Sequence, residues 1–220
     1  MATIDPQSLW FHTPDTFSLC RGGSNGPDHP SQLYAIKKYL KPVPMSFLDY
    51  GCGSGTTPEA IIKEYGKMPF FYLGVDIIPK NVDWCVEKFP SCMFSVNKSL
   101  HKINQLDQSF DVVHSRHVVD HMESFEEAMD EHCRVARKLV IVTLWVPMSD
   151  TDEHDVKNIV DQGKVYENEY TNSYSRKKVM EYLDKKQRQG WKLLELTENV
   201  GSDVGGFDWV IVLERGGEER

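Results

Sequence analysis

The sequence predicts an α/β protein built on a mostly parallel sheet with helices on both faces. Three observations carry this. Apolar segments beginning at Met45, Phe70, Met93, Phe110 and Leu139 alternate with stretches of helical periodicity. The first segment runs into a glycine-rich turn, Gly51-Cys52-Gly53-Ser54-Gly55, and the second ends in the carboxylate of Asp76, an arrangement that shapes nucleoside crevices in α/β proteins. The last two apolar segments, 191–197 and 207–214, are joined without a helix, which predicts an antiparallel pair at the edge.

The elements follow in order. Residues 1–30, rich in Pro, Gly, Ser and aromatics, show no periodicity. Leu33, Ile36 and Leu40 share a face and predict a short helix over 30–40, ended by Pro42 and Pro44 before a first strand at 45–50. Thr57 is the expected N-cap of the next helix, with Pro58 at its first position and Gly66 as its stop. The second strand is placed at 70–77. Val82, Cys85, Val86 and Phe89 then repeat at i, i+3, i+4 and i+7, a buried helix stripe. Short strands are expected at 93–96 and 110–114. Ser124 and Glu127 form a capping box for a helix carrying Phe125, Ala128, Met129 and His132 on one face. Residues 139–145 read as a central strand covered on both sides. An acidic break at 150–155 and an irregular tyrosine-rich segment precede a helix capped by Ser175 and ended by Gly190.

At 220 residues the chain can bury one substantial core, so one domain over 1–220 is expected. The net charge of −8 argues against a surface that tracks phosphates, and no DNA partner is expected. No segment reaches the ~18 consecutive apolar residues of a membrane span, and the N-terminus lacks the apolar core of a signal peptide. Five scattered cysteines without a C-x-x-C pair suit reduced thiols in a cytoplasmic compartment. The acidic run Asp150, Asp152, Glu153, His154 and Asp155 reads as a solvated loop, and no metal site is expected.

The glycine spacing separates two kinds of ligand. A dinucleotide fingerprint reads G-x-G-x-x-G, with the pyrophosphate on the following helix. Here the pattern is G-x-G-x-G, Asp49 stands two residues before it, and Thr56 and Thr57 follow. A carboxylate at that place repels a pyrophosphate and suits a ligand with an ammonium group. With Phe47-Leu48-Asp49-Tyr50-Gly51-Cys52-Gly53-Ser54-Gly55 followed by Tyr72-Leu73-Gly74-Val75-Asp76, the chain resembles the class I S-adenosylmethionine-dependent methyltransferases over roughly 47–145. The resemblance implies a Rossmann-like, seven-stranded, mostly parallel sheet whose last, antiparallel strand inserts between the fifth and sixth. It implies S-adenosyl-L-methionine as cofactor, and insertions at 1–30 and 147–175 on the acceptor side. The chain departs from the family in lacking the Pro-Gly-Gly turn before strand five, where Arg137-Lys138 implies a tighter connection.

Ligands of open α/β sheets lie outside the carboxyl ends of the strands. That rule, with the resemblance, nominates Asp49, Gly51, Gly53, Gly55, Asp76, Ile77, Asn97, Lys98 and Ser115 for the cofactor. Asp76 would accept from the ribose hydroxyls, and Asn97 stands where relatives carry an acid near the adenine amine; a loop Asn serving a turn is the alternative. His114, His117, Asp120 and His121 form the densest titratable cluster. His117, just past the fourth strand, is the expected general base, His121 is the reserve, and alternation turns His114 toward the core.

The leading expectation is a methyltransferase acting on an oxygen or nitrogen of a small-molecule acceptor. An RNA or protein methyltransferase is the alternative within the class, and a non-catalytic S-adenosylmethionine-binding module is the alternative outside it. A nicotinamide dehydrogenase is disfavoured by the glycine spacing.

Overall fold

The structure is a computed structural model and describes residues 26–99, 101–122, 124–161, 164–200 and 208–216, with the backbone alone over 154–171. The strands are β1 (Ser46–Tyr50), β2 (Phe71–Asp76), β3 (Met93–Val96), β4 (Phe110–Arg116), β5 (Ala136–Leu144), β6 (Glu153–Asp161), β7 (Lys164–Ser173), β8 (Trp191–Val200) and β9 (Asp208–Arg215). The helices are α1 (Tyr34–Tyr39), α2 (Thr56–Tyr65), α3 (Pro79–Lys88), α4 (Phe125–Val135) and α5 (Arg176–Arg188). Short 3-10 turns occupy Pro30–Gln32 and Val119–His121.

Seven strands form one sheet in the order β3-β2-β1-β4-β5-β9-β8. The pairs from β3 through β5 are parallel. β9 runs antiparallel between β5 and β8, so the expected insertion of the last strand is observed. The order reverses between β1 and β4, which opens a crevice at their carboxyl ends.

Side chains alternate across the sheet with period two. Leu48, Val113, Val140, Val142, Ile211 and Leu213 face one core together with Phe125 and Met129 of α4 and Val179 and Leu183 of α5. Phe47, Val112, Ile141, Val210 and Val212 face the other, with Ile36 of α1 and Ile61 of α2. Burial on both faces is why β5 and β9 read as continuous apolar runs.

Ser124 and Ser175 cap α4 and α5, accepting from the N–H groups of Glu127 and Lys178, each at 3.3 Å. Gly66 ends α2 at φ 74°. α2 starts two residues earlier than expected: Gly55, at φ 79°, makes the reversal, and the Thr57 hydroxyl is buried as an acceptor from Gln32 at 3.0 Å. The helix expected over 30–40 is divided, because Leu33 adopts a non-helical conformation between the 3-10 turn and α1. The connection before β5 shrinks to nothing, since α4 ends at Val135 and β5 begins at Ala136. The segment expected to be irregular contains the β6–β7 hairpin. The tyrosine side chains up to 171 and the glycine loop 201–207 lie outside the described residues.

Phe125 is fully buried and packs against Tyr174, tilted, and Tyr182, edge to face, at ring-centroid distances of 5.1 and 5.4 Å. Truncating a buried aromatic removes its transfer free energy and leaves a cavity, so Phe125→Ala is expected to cost about 3–5 kcal/mol. Urea denaturation at unchanged m-value measures it.

Candidate active site

The glycine turn is the centre of the site. Gly51, Gly53 and Gly55 all have positive φ, at 71°, 52° and 79°, a region that side chains with a Cβ rarely enter. Their surroundings differ. A Cβ on Gly51 would come within 2.3 Å of Val118, and one on Gly55 within 2.4 Å of Phe89, whereas one on Gly53 would meet nothing within 4 Å. The outer glycines are packed against protein and the middle one presents bare main chain to open space. The turn is fastened to β2: the Gly51 and Cys52 N–H groups donate to the Val75 carbonyl at 2.8 and 3.0 Å, and the Gly53 N–H donates to Asp76 Oδ2 at 2.8 Å.

Asp76 is the carboxylate beside this opening. Its Oδ1 accepts from the Ile78 N–H at 2.9 Å, and Ile77 stands half-buried next to it. Burial raises the carboxyl above its ordinary value against the pull of the Ile78 and Gly53 N–H groups. Oδ1 also lies 3.5 Å from Asn81 Nδ2, whereas Oδ2, with the Gly53 N–H on it, keeps room for a second hydrogen bond. An exposed main-chain surface flanked by a carboxylate fits a ribose diol beside a backbone approach, and these residues therefore fit an adenosine-bearing cofactor.

Other nominated residues lie elsewhere. Asp49 is 1% exposed; its Oδ1 is 2.7 Å from His114 Nδ1 and its Oδ2 accepts from the Tyr72 hydroxyl. Alternation turns Asp49 to the Phe47 side of β1, where the flanking strands supply these partners. Ser115 is wholly buried, 2.9 Å from His132 Nε2. His132 Nδ1 lies 2.6 Å from the Ala128 carbonyl, which can only accept. Nδ1 therefore carries the proton and Nε2 accepts from Ser115. Burial pushes His132 down to about 4, so the ring is neutral. Asn97 serves its own loop: its amide donates to the Lys102 carbonyl at 3.0 Å and its oxygen accepts from the Asn104 N–H at 2.9 Å. Lys98 is exposed beside it.

The titratable cluster at the end of β4 divides in two. His114 belongs to the core with Asp49 and Phe47, as alternation predicts. His117 stands past the strand end at φ 56°, a conformation costing of order 1–3 kcal/mol that persists only where its surroundings impose it. Its N–H donates to the Thr143 carbonyl at 2.8 Å, and its Nε2 is 2.9 Å from Asp208 Oδ2. Burial lowers the His117 ring to about 4 against the opposing effect of Asp208. His121 is half-buried and faces Trp145 with ring centroids 6.5 Å apart. Asp120 is fully buried, accepts from the N–H groups of Trp145 and Val146 at 3.3 Å each, and is raised by burial to about 8.

Sequence reasoning missed Asp208. As the first residue of an antiparallel strand it stands at the carboxyl edge of the parallel ones, a signal usable only once the strand order is known. It is 1% exposed and its Oδ2 accepts from Ser31, from Arg116 at 3.3 Å and from His117. Val118, packed on Gly51, sets this cluster against the glycine turn.

Residues 48–142 match the family model of the methyltransferase domain. Over those residues the chain carries a methyltransferase domain, and it acts as an S-adenosylmethionine-dependent methyltransferase. Its methyl donor is S-adenosylmethionine. Solved structures share the methyltransferase's fold at low identity. Magnesium protoporphyrin IX methyltransferase from Synechocystis, solved with S-adenosylmethionine bound, superposes at TM-score 0.64 and 13% identity over 98% of this chain and 100% of that one. A methyltransferase from Aquifex aeolicus does so at 0.62 and 16%, over 92% and 98%. The Haloferax volcanii complex of the Trm112 activator and a methyltransferase gives 0.60 and 13%, over 86% and 91%. No curated protein matches the chain. Among the described residues no helix is long and apolar enough to cross a membrane.

The buried titratable groups set the pH dependence of stability. His117 and His132 stay neutral in the folded protein down to about pH 4, whereas unfolded imidazoles protonate near 6.5. Between those values the unfolded chain binds more protons, so stability rises with pH. Asp120 keeps its proton when folded up to about pH 8 but ionises near 3.8 when unfolded, so its contribution falls as pH rises, and Asp76 adds in the same direction. The two imidazoles outweigh Asp120 below pH 6.5 and it acts without them above. Stability is expected to peak near pH 6.5, with Asp120→Asn removing most of the fall on the basic side. Urea midpoints from about pH 5 to 8 check both.

Proposed function

We propose that this methyltransferase moves the methyl group to an oxygen or nitrogen of a small-molecule acceptor that enters between the glycine turn and His117. The observation carrying this is the contact of Val118 with Gly51, which holds the buried imidazole of His117 next to the donor's cradle. The acidic chain, at net charge −8, offers no general phosphate-tracking surface, which favours a small acceptor over RNA.

In this reading Gly53 and Asp76 hold the adenosine part, with Ile77 beside it and Gly51 and Gly55 shaping the turn. Asp49 acts from below, fixing the ends of β1 and β4 through His114. Lys98 contributes to the rim, while Asn97 and Ser115 position loop and helix. Bound S-adenosylmethionine supplies an electrophilic methyl on a sulfonium, so orientation accounts for much of the acceleration. His117, neutral at physiological pH, accepts the acceptor's proton, and His121 is the reserve for that role.

The acceptor side is also walled by residues 147–175. The root of the β6–β7 hairpin is tied to the turn bearing His121: Tyr174 donates to the Val119 carbonyl at 2.8 Å, and Asn172 donates to the Met122 carbonyl. This supports reading 147–175 as a substrate-side insertion in one domain spanning 1–220.

Incubation with methyl-labelled cofactor against panels of small alcohols, phenols, amines and carboxylates, and separately RNA and protein, tests the proposal. Label entering only RNA or protein overturns it. Asp76→Ala is expected to weaken S-adenosylhomocysteine by about 1–3 kcal/mol in calorimetry. Gly53→Val is expected to abolish that binding while circular dichroism stays native, because its side chain fills the open cradle. His117→Ala is expected to lower turnover by ~10²–10⁴ at unchanged cofactor affinity.

A further inference from the structure

The 3-10 turn Pro30–Gln32 carries two buried side chains that go to different elements. Ser31 reaches the end of β4 and the start of β9: its hydroxyl donates to Asp208 Oδ2 and accepts from Arg116 Nη2 at 3.0 Å. Gln32 reaches the first turn of α2, where its Nε2 donates to the Thr57 hydroxyl at 3.0 Å. The turn thereby bridges the residues that follow the glycine turn and those that end β4, the two sides of the crevice at the switch point.

Gln32 is left half-answered in that position. The residue is 1% exposed, and among the described residues its Oε1 is closed to water and has no hydrogen-bond partner. A buried amide oxygen without a donor carries its desolvation penalty in full. S-adenosylmethionine has donors in three places: the adenine amine, the ribose hydroxyls and the ammonium of its methionine end. Asp76 lies on the β2 side of β1, whereas the turn bearing Gln32 is tied to β4 and β9 on the other side. For the methyl group to meet an acceptor beside His117, the sulfur lies toward β4, and the methionine end leaves from the sulfur. The start of α2 suits the same end of the ligand. Its N-cap, Gly55, offers no side chain to the first N–H groups, and a helix N-terminus favours an anion such as the carboxylate next to that ammonium.

We propose that Gln32 is a cofactor-binding residue whose Oε1 accepts a hydrogen bond from the ammonium of the methionine end of S-adenosylmethionine. The inference rests on the adenosine part lying on Gly53 and Asp76. It places the contact in a segment that precedes residues 48–142, the stretch matching the methyltransferase domain. The buried oxygen gains its donor only when the ligand enters, so the contact adds to affinity instead of merely exchanging one partner for another.

Calorimetry of the full chain with three probes tests this: S-adenosylhomocysteine, its analogue lacking the amino group, and methylthioadenosine, which lacks the whole amino-acid end. Gln32→Met keeps an unbranched side chain of similar length and removes the amide. It is expected to weaken S-adenosylhomocysteine about tenfold while the deaminated analogue and methylthioadenosine bind as to wild type. Equal weakening of all three probes overturns the proposal, as does unchanged affinity for all three. A loss that persists with the deaminated analogue but not with methylthioadenosine puts the contact on the carboxylate and overturns it too. Gln32→Glu sets a negative charge opposite the ammonium and should favour S-adenosylhomocysteine over the deaminated analogue at least as strongly as wild type does. A collapse of that preference overturns the proposal, and this comparison decides it even where Gln32→Met fails to fold. Asp76→Ala tests the underlying reading separately. If it spares methylthioadenosine, the adenosine part lies elsewhere, and the preference lost in Gln32→Met still decides the ammonium contact.

Discussion

The left-handed backbone at Gly51, Gly53 and Gly55 is the constraint from which the rest of the site follows. It turns β1 back on itself within five residues, which brings Gly51 against Val118, Gly55 against Phe89 and the Gly53 N–H onto Asp76. Each contact recruits a different element: the segment after β4, the end of α3 and the tip of β2. A single chain reversal thereby sets the segment after β4 against the glycine turn at the topological switch point.

Behind that turn the protein buries polar groups that are answered in pairs. Asp49 is met by Tyr72 and His114, and Ser115 by His132, which in turn is bound to the Ala128 carbonyl. Unmatched, each would cost on the order of 1–3 kcal/mol; matched, they set strand and helix in one relative position. The Asp208 cluster does the same at the crevice, tying the turn before α1 to β4 and β9. At the far side, Glu195 of β8 accepts from Tyr34 at 2.7 Å and pairs with Lys38 at 2.7 Å, fastening α1 to the edge of the sheet. The described residues preceding β1 are thus tied to the sheet through Ser31 on one side and through Tyr34 and Lys38 on the other.

The crevice divides along the strand order. β1 and β2 contribute the glycine turn and the Asp76 carboxylate. β4, β5 and β9 contribute the buried cluster of Arg116, His117 and Asp208, with the His117 N–H on the Thr143 carbonyl. The β6–β7 hairpin is rooted beside the turn that follows β4.

The sequence by itself determined the alternation of strands and helices, the glycine spacing and the acids at the tips of β1 and β2, because these are properties of neighbouring residues. It also assigned His114 to the core, since period two settles which face of β4 it takes. It could not show the protein partners of Asp49, Ser115 and Asn97, because standing at a strand end says nothing about which groups crowd that place. Only the tertiary structure decided that Asp76 opens on the crevice while Asp49 is enclosed, and that His117 meets Asp208 across 91 positions of chain. Periodicity fixes the face a residue takes within its own element, but what it touches there depends on strand order, and the antiparallel insertion of β9 brings its first residue to the site.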